Sequence, residues 1–213
     1  MLSAALVALS FATALYFYPA MPGRVASHWD IDGKVNGYMD SGIGTFFMPV
    51  LAAAVLALFC ALPLVDPKRE NYKAFQKEYD GMMAVIIGFI YYIYALTIAY
   101  NLGCQFNFTQ LLSPAFGALF IYVGVVLAKA KQNWFVGIRT PWTLSSEKVW
   151  DRTHALGSKL FMASGVVAFM GVAVPQMFVA SIAAVLAAAV ATFVYSYVEY
   201  RKEKKETGKR KKK

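Results

Sequence analysis

Asn133-Trp134-Phe135-Val136-Gly137-Ile138-Arg139-Thr140-Pro141-Trp142-Thr143-Leu144-Ser145-Ser146-Glu147-Lys148-Val149-Trp150-Asp151-Arg152-Thr153-His154 is the longest polar interruption in the apolar second half of the chain. It holds three of the four tryptophans and one of the two histidines. Gly137 and Pro141 stand too close together for the first part to be one regular helix. Thr140, before a proline, is pushed towards extended geometry. Regular structure is expected to restart at Thr143 or Ser145 as N-cap, with Glu147 facing the positive end of the new helix. On that helix Trp150 and His154 share a face, while Lys148, Arg152 and Lys159 lie on another. The stretch reads as an aromatic loop turning into a helix at a membrane surface.

The rest of the chain says why a membrane. Apolar residues make up 59% of the sequence and the mean hydropathy is +0.49, a membrane composition. Six apolar runs stand out, at 2–18, 45–65, 82–102, 111–128, 160–174 and 178–198. Most are near the ~20 residues needed to cross a bilayer. The run 160–174 is short and is expected to borrow length from the helix before it. Ala12-Thr13-Ala14 resembles a signal-peptidase site, but there is no basic n-region and the apolar run continues past it, so the first run reads as a retained span.

Lysine and arginine sort between alternate connections. The second carries Lys68, Arg69, Lys73 and Lys77, and the fourth Lys129, Lys131, Arg139, Lys148, Arg152 and Lys159. The tail from Arg201 adds nine more. The first connection has only Arg24 and Lys34, and the third and fifth have none. This bias predicts that both termini and the stretch 133–154 are cytoplasmic, and that the first connection faces outward. The net charge of +9 is concentrated in a tail that follows an apolar run, so anionic lipid is the nearer partner than nucleic acid.

The first connection has turn chemistry of its own. Asp32-Gly33 suits a tight turn, with short strands at 24–29 and 34–38. Asp66-Pro67 reads as an N-cap followed by proline at the first helical position. Tyr72, Phe75 and Tyr79 then share one face of an expected interfacial helix.

Catalytic chemistry is poorly represented. The two histidines, His28 and His154, fall on opposite sides of the predicted membrane and cannot share a zinc ion. His28 with Asp30 and Asp32 offers a weak outer metal site, set against a histidine hydrogen-bonded within its own loop. No nucleophile elbow or phosphate-cradling glycine loop is present. All six runs lack Asp, Glu, Lys, Arg and His, which disfavours coupled proton transport. The reading is therefore not an enzyme, and without a cofactor.

Residues 133–154 closely match the pattern N-x-W-x-G-I-R-T-P-W-T-L-S-S-x-x-V-W-x-x-T-H, and so resemble the SdpI-like immunity and signalling family of bacterial and archaeal membrane proteins. The outer loop, Tyr18-Pro19-Ala20-Met21-Pro22 through His28-Trp29-Asp30-Ile31-Asp32-Gly33, is similar to a DUF1648 module. There Met21, Ala26, Trp29 and Asp30 replace the usual Leu, Pro, Phe and Asn.

The resemblance implies an all-α integral membrane protein of six transmembrane helices, with a small extracytoplasmic hairpin and cytoplasmic interfacial helices. Its units would be a DUF1648-like part at 1–65, an SdpI-like part at 66–198 and a basic cytoplasmic tail at 199–213. It also implies immunity to a secreted peptide toxin, or signalling by holding a small helix-turn-helix repressor at the membrane. On that analogy Pro19, Pro22, His28, Trp29, Asp32 and Gly33 belong to an outer recognition loop. Asn133, Trp134, Gly137, Arg139, Thr140, Pro141, Trp142, Ser145, Trp150 and His154 would form the partner-binding signature, against the simpler reading of an interfacial aromatic anchor. The competing function is a small transporter or membrane enzyme acting on a lipid or peptide, with Arg139, Trp142, Trp150 and His154 gripping a headgroup.

Overall fold

The computed structural model describes residues 1–210, with side chains through Thr207; the end of the expected basic tail, residues 211–213, lies outside the described residues. The chain is mostly helical. Helix α1 spans Leu2–Phe17 and passes through a 3₁₀ turn at Tyr18–Ala20 into a two-stranded hairpin. Helix α2 spans Ser41–Val65, α3 Gln76–Asn101 and α4 Phe108–Lys129. A five-residue α5, Pro141–Ser145, precedes α6, Glu147–Met170, and α7, Gln176–Arg210.

Helix starts follow short polar caps. The Asp40 carboxylate accepts from Gly42 N at 2.8 Å to open α2, and Asn107 Oδ1 accepts from Gln110 N at 2.9 Å to open α4. Helix α2 carries Pro49 and Pro63 in its interior, a pattern that membrane helices tolerate because neighbouring groups re-satisfy the freed carbonyls.

Strands β1, Arg24–Trp29, and β2, Val35–Asp40, pair antiparallel from Arg24 opposite Asp40 to Trp29 opposite Val35. The second strand starts one residue later and runs two residues further than the sequence suggests. Register shifts around His28 mark a bulge. Asp30 builds the turn, its Oδ1 accepting from Asp32 N at 3.0 Å and Lys34 N at 2.9 Å.

Among the described residues, five helical segments are long and apolar enough to cross a membrane: Leu2–Ala20, Ser41–Val65, Arg69–Asn101, Phe108–Lys129 and Gln176–Thr207. The sixth expected run is the second half of α6, which stops at Met170, short of residue 174. Helix α6 begins inside the polar signature and buries Thr153, His154, Ser158 and Ser164. It packs chiefly against α4 and α7. Small residues make the approach possible: a side chain at Gly165 would meet the Gly117 carbonyl at 2.7 Å, and one at Gly124 the Ser158 carbonyl at 2.8 Å. Helices α1, α2 and α3 pack on one another, and α3 joins them to α4.

Two local expectations are corrected. Asp66 does not open an interfacial α-helix; it ends α2, and the residues after it form a 3₁₀ helix, Arg69–Phe75. Its aromatics are not spread on a surface, since Tyr72 and Phe75 are buried with Tyr79 in a ring cluster. Regular structure after the signature loop restarts earlier than expected, at Thr140, and again at Ser146.

Candidate functional site

The helix bundle has two differently built ends. One carries the hairpin. The other brings together the end of α2, the 3₁₀ segment after it, the end of α4, residues 130–146 and the start of α6.

Asp66 organises the second end. It is buried, with Oδ1 accepting from Lys68 N at 2.7 Å, and Oδ2 from Trp134 N at 2.9 Å and the Tyr72 hydroxyl at 3.1 Å. Asn133, fully buried beside it, accepts from Phe135 N at 2.9 Å and Val136 N at 2.6 Å, and donates to the Lys131 and Val136 carbonyls. Gln132 is buried too. It donates to the Thr143 carbonyl at 2.6 Å, accepts from Lys68 Nζ, and its carbonyl accepts from Asn71 at 2.6 Å. Buried polar groups of this kind are costly unless fully partnered, and here they fix the loop's path.

The loop then folds over the first turns of α6. Trp150 is completely buried among Phe59, Tyr72, Phe75, Tyr79, Val126, Ala130 and Val136, and its indole N–H donates to the Ala130 carbonyl at 2.8 Å. His154 stacks on it at 3.9 Å between centroids. Ile138 N donates to His154 Nε2 at 3.0 Å, so Nδ1 carries the proton and donates to the Trp150 carbonyl at 2.8 Å. Gly137, at φ +119°, leaves no room for a side chain, because a Cβ would strike His154 Nε2 and the Trp150 ring.

Burial pulls the His154 pKa down from 6.5 to about 4. A depressed folded-state value means that the stabilisation is complete above pH 6.5 and is lost as pH falls towards 4. That window is worth roughly 3 kcal/mol. A protonated ring would also turn an N–H against the Ile138 N–H.

Thr140 and Thr143 form a reciprocal capping box around α5, with Pro141 at its first position. Thr140 Oγ1 lies 3.0 Å from Ser196 Oγ on α7, and Trp142 packs against Phe193 and Tyr197. Ser146 caps α6 and donates to Glu203 at 2.6 Å. Lys148 pairs with Glu206 at 2.9 Å and Arg152 with the buried Glu199 at 2.5 Å. Lys148 and Arg152 on the basic side of α6 are thus paired with α7, which continues as a helix through Arg210.

The ten signature residues therefore divide. Asn133, Thr140, Trp150 and His154 are inside, Gly137 and Trp142 are half-buried, and Trp134, Arg139, Pro141 and Ser145 are exposed. The shared Trp150–His154 face points into the core. Trp134 remains 47% exposed, and Arg139 reaches back to donate to its carbonyl at 2.8 Å. In the sequence Asp66 reads only as a helix N-cap, and Gln132 and Glu199 are not singled out; a lone acid or amide in a basic stretch is the available signal.

At the other end, the hairpin is fastened to α3 and α4. Asn101 accepts from Ala26 N at 2.7 Å and donates to Ala26 O at 3.1 Å, taking the place of a third strand. Asn107 donates to the Asp32 carbonyl and Thr109 to the Asp30 carbonyl. Trp29 stacks on Phe108 at 3.8 Å, with Tyr100 against its edge. Gly33, at φ +80°, sits at the turn against Asn107, and Asp32 is exposed there. Pro19 lies in the 3₁₀ turn and Pro22 just ahead of β1, both exposed. His28 bonds to Asn36 across the strands. Among the described residues, no three of His, Cys, Asp or Glu converge as a metal site.

Comparison with known proteins bears on both ends. The SdpI/YfhL protein family matches residues 129–196, and the domain of unknown function DUF1648 matches residues 5–53. Immunity protein SdpI of Bacillus subtilis (strain 168) is 26% identical over 207 residues, covering 94% of this chain and 95% of that protein. No solved structure matches.

Proposed function

We propose, for a chain that belongs to the SdpI/YfhL family and carries a DUF1648 segment, that it is an immunity and signalling protein of the cell membrane. In this reading α6 is a sixth span from Leu160 onward, packed on α4 and α7 with Val166, Phe169 and Met170 open to lipid. Both termini and the signature loop are cytoplasmic, and the hairpin faces outward. The hairpin end meets a secreted peptide toxin. The exposed Trp134–Arg139 pair, on its rigid buried base, presents the contact for a small cytoplasmic repressor.

The end-to-end match to an immunity protein carries this reading. The geometry supports a division of labour: a docked hairpin at one end, and at the other a loop whose interior is spent on folding while Trp134 and Arg139 stay free of burial. An exposed tryptophan beside an exposed arginine suits recognition, since both are favoured where contact energy is concentrated.

Orientation is tested by cysteine reactivity in a Cys60→Ser, Cys104→Ser background. An impermeant thiol reagent on intact cells is expected to label Asp32→Cys and to spare Ser145→Cys. Function is tested in parallel, by challenging sensitive cells expressing the chain with the secreted peptide fraction of the source organism. Survival well above that of cells with an empty vector is expected. Labelling of Ser145→Cys alone, or survival equal to the empty vector, would overturn the reading.

A further inference from the structure

The hairpin has two edges, and one of them is covered. On the β1 side, Ala26 directs its N–H and C=O away from β2, since Asn101 of α3 accepts from the first and donates to the second. Tyr38 stands opposite Ala26 in the register. Antiparallel residues alternate between pairs that exchange both backbone bonds and pairs that exchange none. Ala26–Tyr38 is of the second kind. The Ser41 N–H donating to Gly23 O at 3.1 Å, three pairs along, fixes the same alternation. Tyr38 N–H and C=O therefore point out from the free edge of β2. Among the described residues no other element bonds to them, and Tyr38 is 56% exposed.

We infer that the free edge of β2 binds an extended peptide segment as a third strand, through the Tyr38 N–H and C=O. The edge is not blunted. Natural proteins protect an open edge with lysine, proline, a bulge or a cover, yet β2 carries neither lysine nor proline. The bulge lies towards the turn, so pairing from Arg24–Asp40 to Ala26–Tyr38 is regular. The edge is also held in place. Val25 and Met39 sit against Gly44 at the start of α2, where a side chain would strike both, and Asn101 grips β1 from the other side. A peptide residue brings one donor and one acceptor at strand spacing, which matches what Tyr38 leaves unspent. Main-chain bonds of this kind give attachment, and alternate side chains give the choice of partner. The residue set beside the exposed Tyr38 ring is expected to be aromatic or β-branched, the types that pair best across strands.

The inference rests on the peptide-recognition reading above and names the conformation in which the peptide is held. Its readout is a backbone amide of the purified protein, so its failure is separate from a failure of protection, which is scored in cells. The full chain, one copy per lipid nanodisc, is labelled with ¹⁵N-tyrosine, and the Tyr38 amide is assigned by its loss in Tyr38→Phe. The probe is the capped peptide N-acetyl-Thr-Val-Tyr-Val-Thr-amide. Titration is expected to move the Tyr38 amide proton downfield, to saturate, and to slow its exchange with water at least tenfold. The same peptide N-methylated at every residue, which has no N–H to give, should do neither. Tyr38→Pro removes an N–H that the fold does not use, a change that edge strands tolerate. It should weaken binding of the fluorescein-labelled probe at least tenfold, while Tyr38→Phe, which keeps the backbone, binds as wild type does. Three results would overturn the inference: no saturable response, an equal response to the N-methylated peptide, or a Tyr38 amide already slow to exchange before peptide is added. Slow exchange confined to discs that hold two copies would also overturn it, by giving the edge to a second copy of the chain.

Discussion

Gly137→Ala is expected to open the signature loop and to raise the rate of tryptic cleavage after Arg139 by about 30-fold or more. The residue sits at φ +119°, where a side chain is strained whatever the space around it. A Cβ there would also strike His154 Nε2 and the Trp150 ring, neither of which can yield. His154 is held at both nitrogens, and Trp150 is packed on all sides and tied to Ala130. Backbone strain and overpacking together cost ~2–4 kcal/mol. Where opening is fast relative to cleavage, that cost appears directly in the cleavage rate. Cleavage within twofold of wild type would show that the loop is not seated as described.

Asp66→Ala should have a comparable effect from the opposite side. Its carboxylate accepts three hydrogen bonds, and removal strands the Trp134 N–H and the Tyr72 hydroxyl in the interior. Hydrogen bonds to a charged group are worth ~1.5–3 kcal/mol each, so the loop should be released even though no signature residue is changed. Asp66→Asn is the informative partner. An amide can keep the two bonds made by Oδ2 but must turn an NH₂ towards the Lys68 N–H, so its effect should be intermediate. Equal cleavage rates for wild type, Asp66→Asn and Asp66→Ala would remove Asp66 from the account.

These two residues also show what the sequence could and could not convey. The apolar runs became helices, and the Asp32-Gly33 turn placed the hairpin within two residues, because period and turn chemistry are local. Asp66-Pro67 misled for the same reason: locally it is a good helix start, but its carboxylate is claimed by Trp134, 68 residues away. Spacing puts Trp150 and His154 on one face, yet it does not say what covers that face, and here the preceding loop does. Glu199, Glu203 and Glu206 recur at helical spacing on α7 opposite Arg152, Ser146 and Lys148. That recurrence was legible, but it gains meaning only once α6 and α7 are known to lie side by side.

The central claim is that the buried signature residues build the loop while Trp134 and Arg139 act outward. Trp134→Phe and Arg139→Lys test it most directly, because both keep what an interfacial anchor needs: an aromatic ring, and a cation that can snorkel. Lysine nevertheless lacks the planar fork of donors that a specific contact uses. The measurements are cell survival under peptide challenge and the amount of repressor retained with the membrane fraction, each normalised to the amount of protein in that fraction. Abundance is expected within about twofold of wild type, the scale of a surface change, with protection or repressor retention lowered at least tenfold in each variant. Wild-type protection and wild-type repressor retention in both would contradict it and leave the stretch as an anchor.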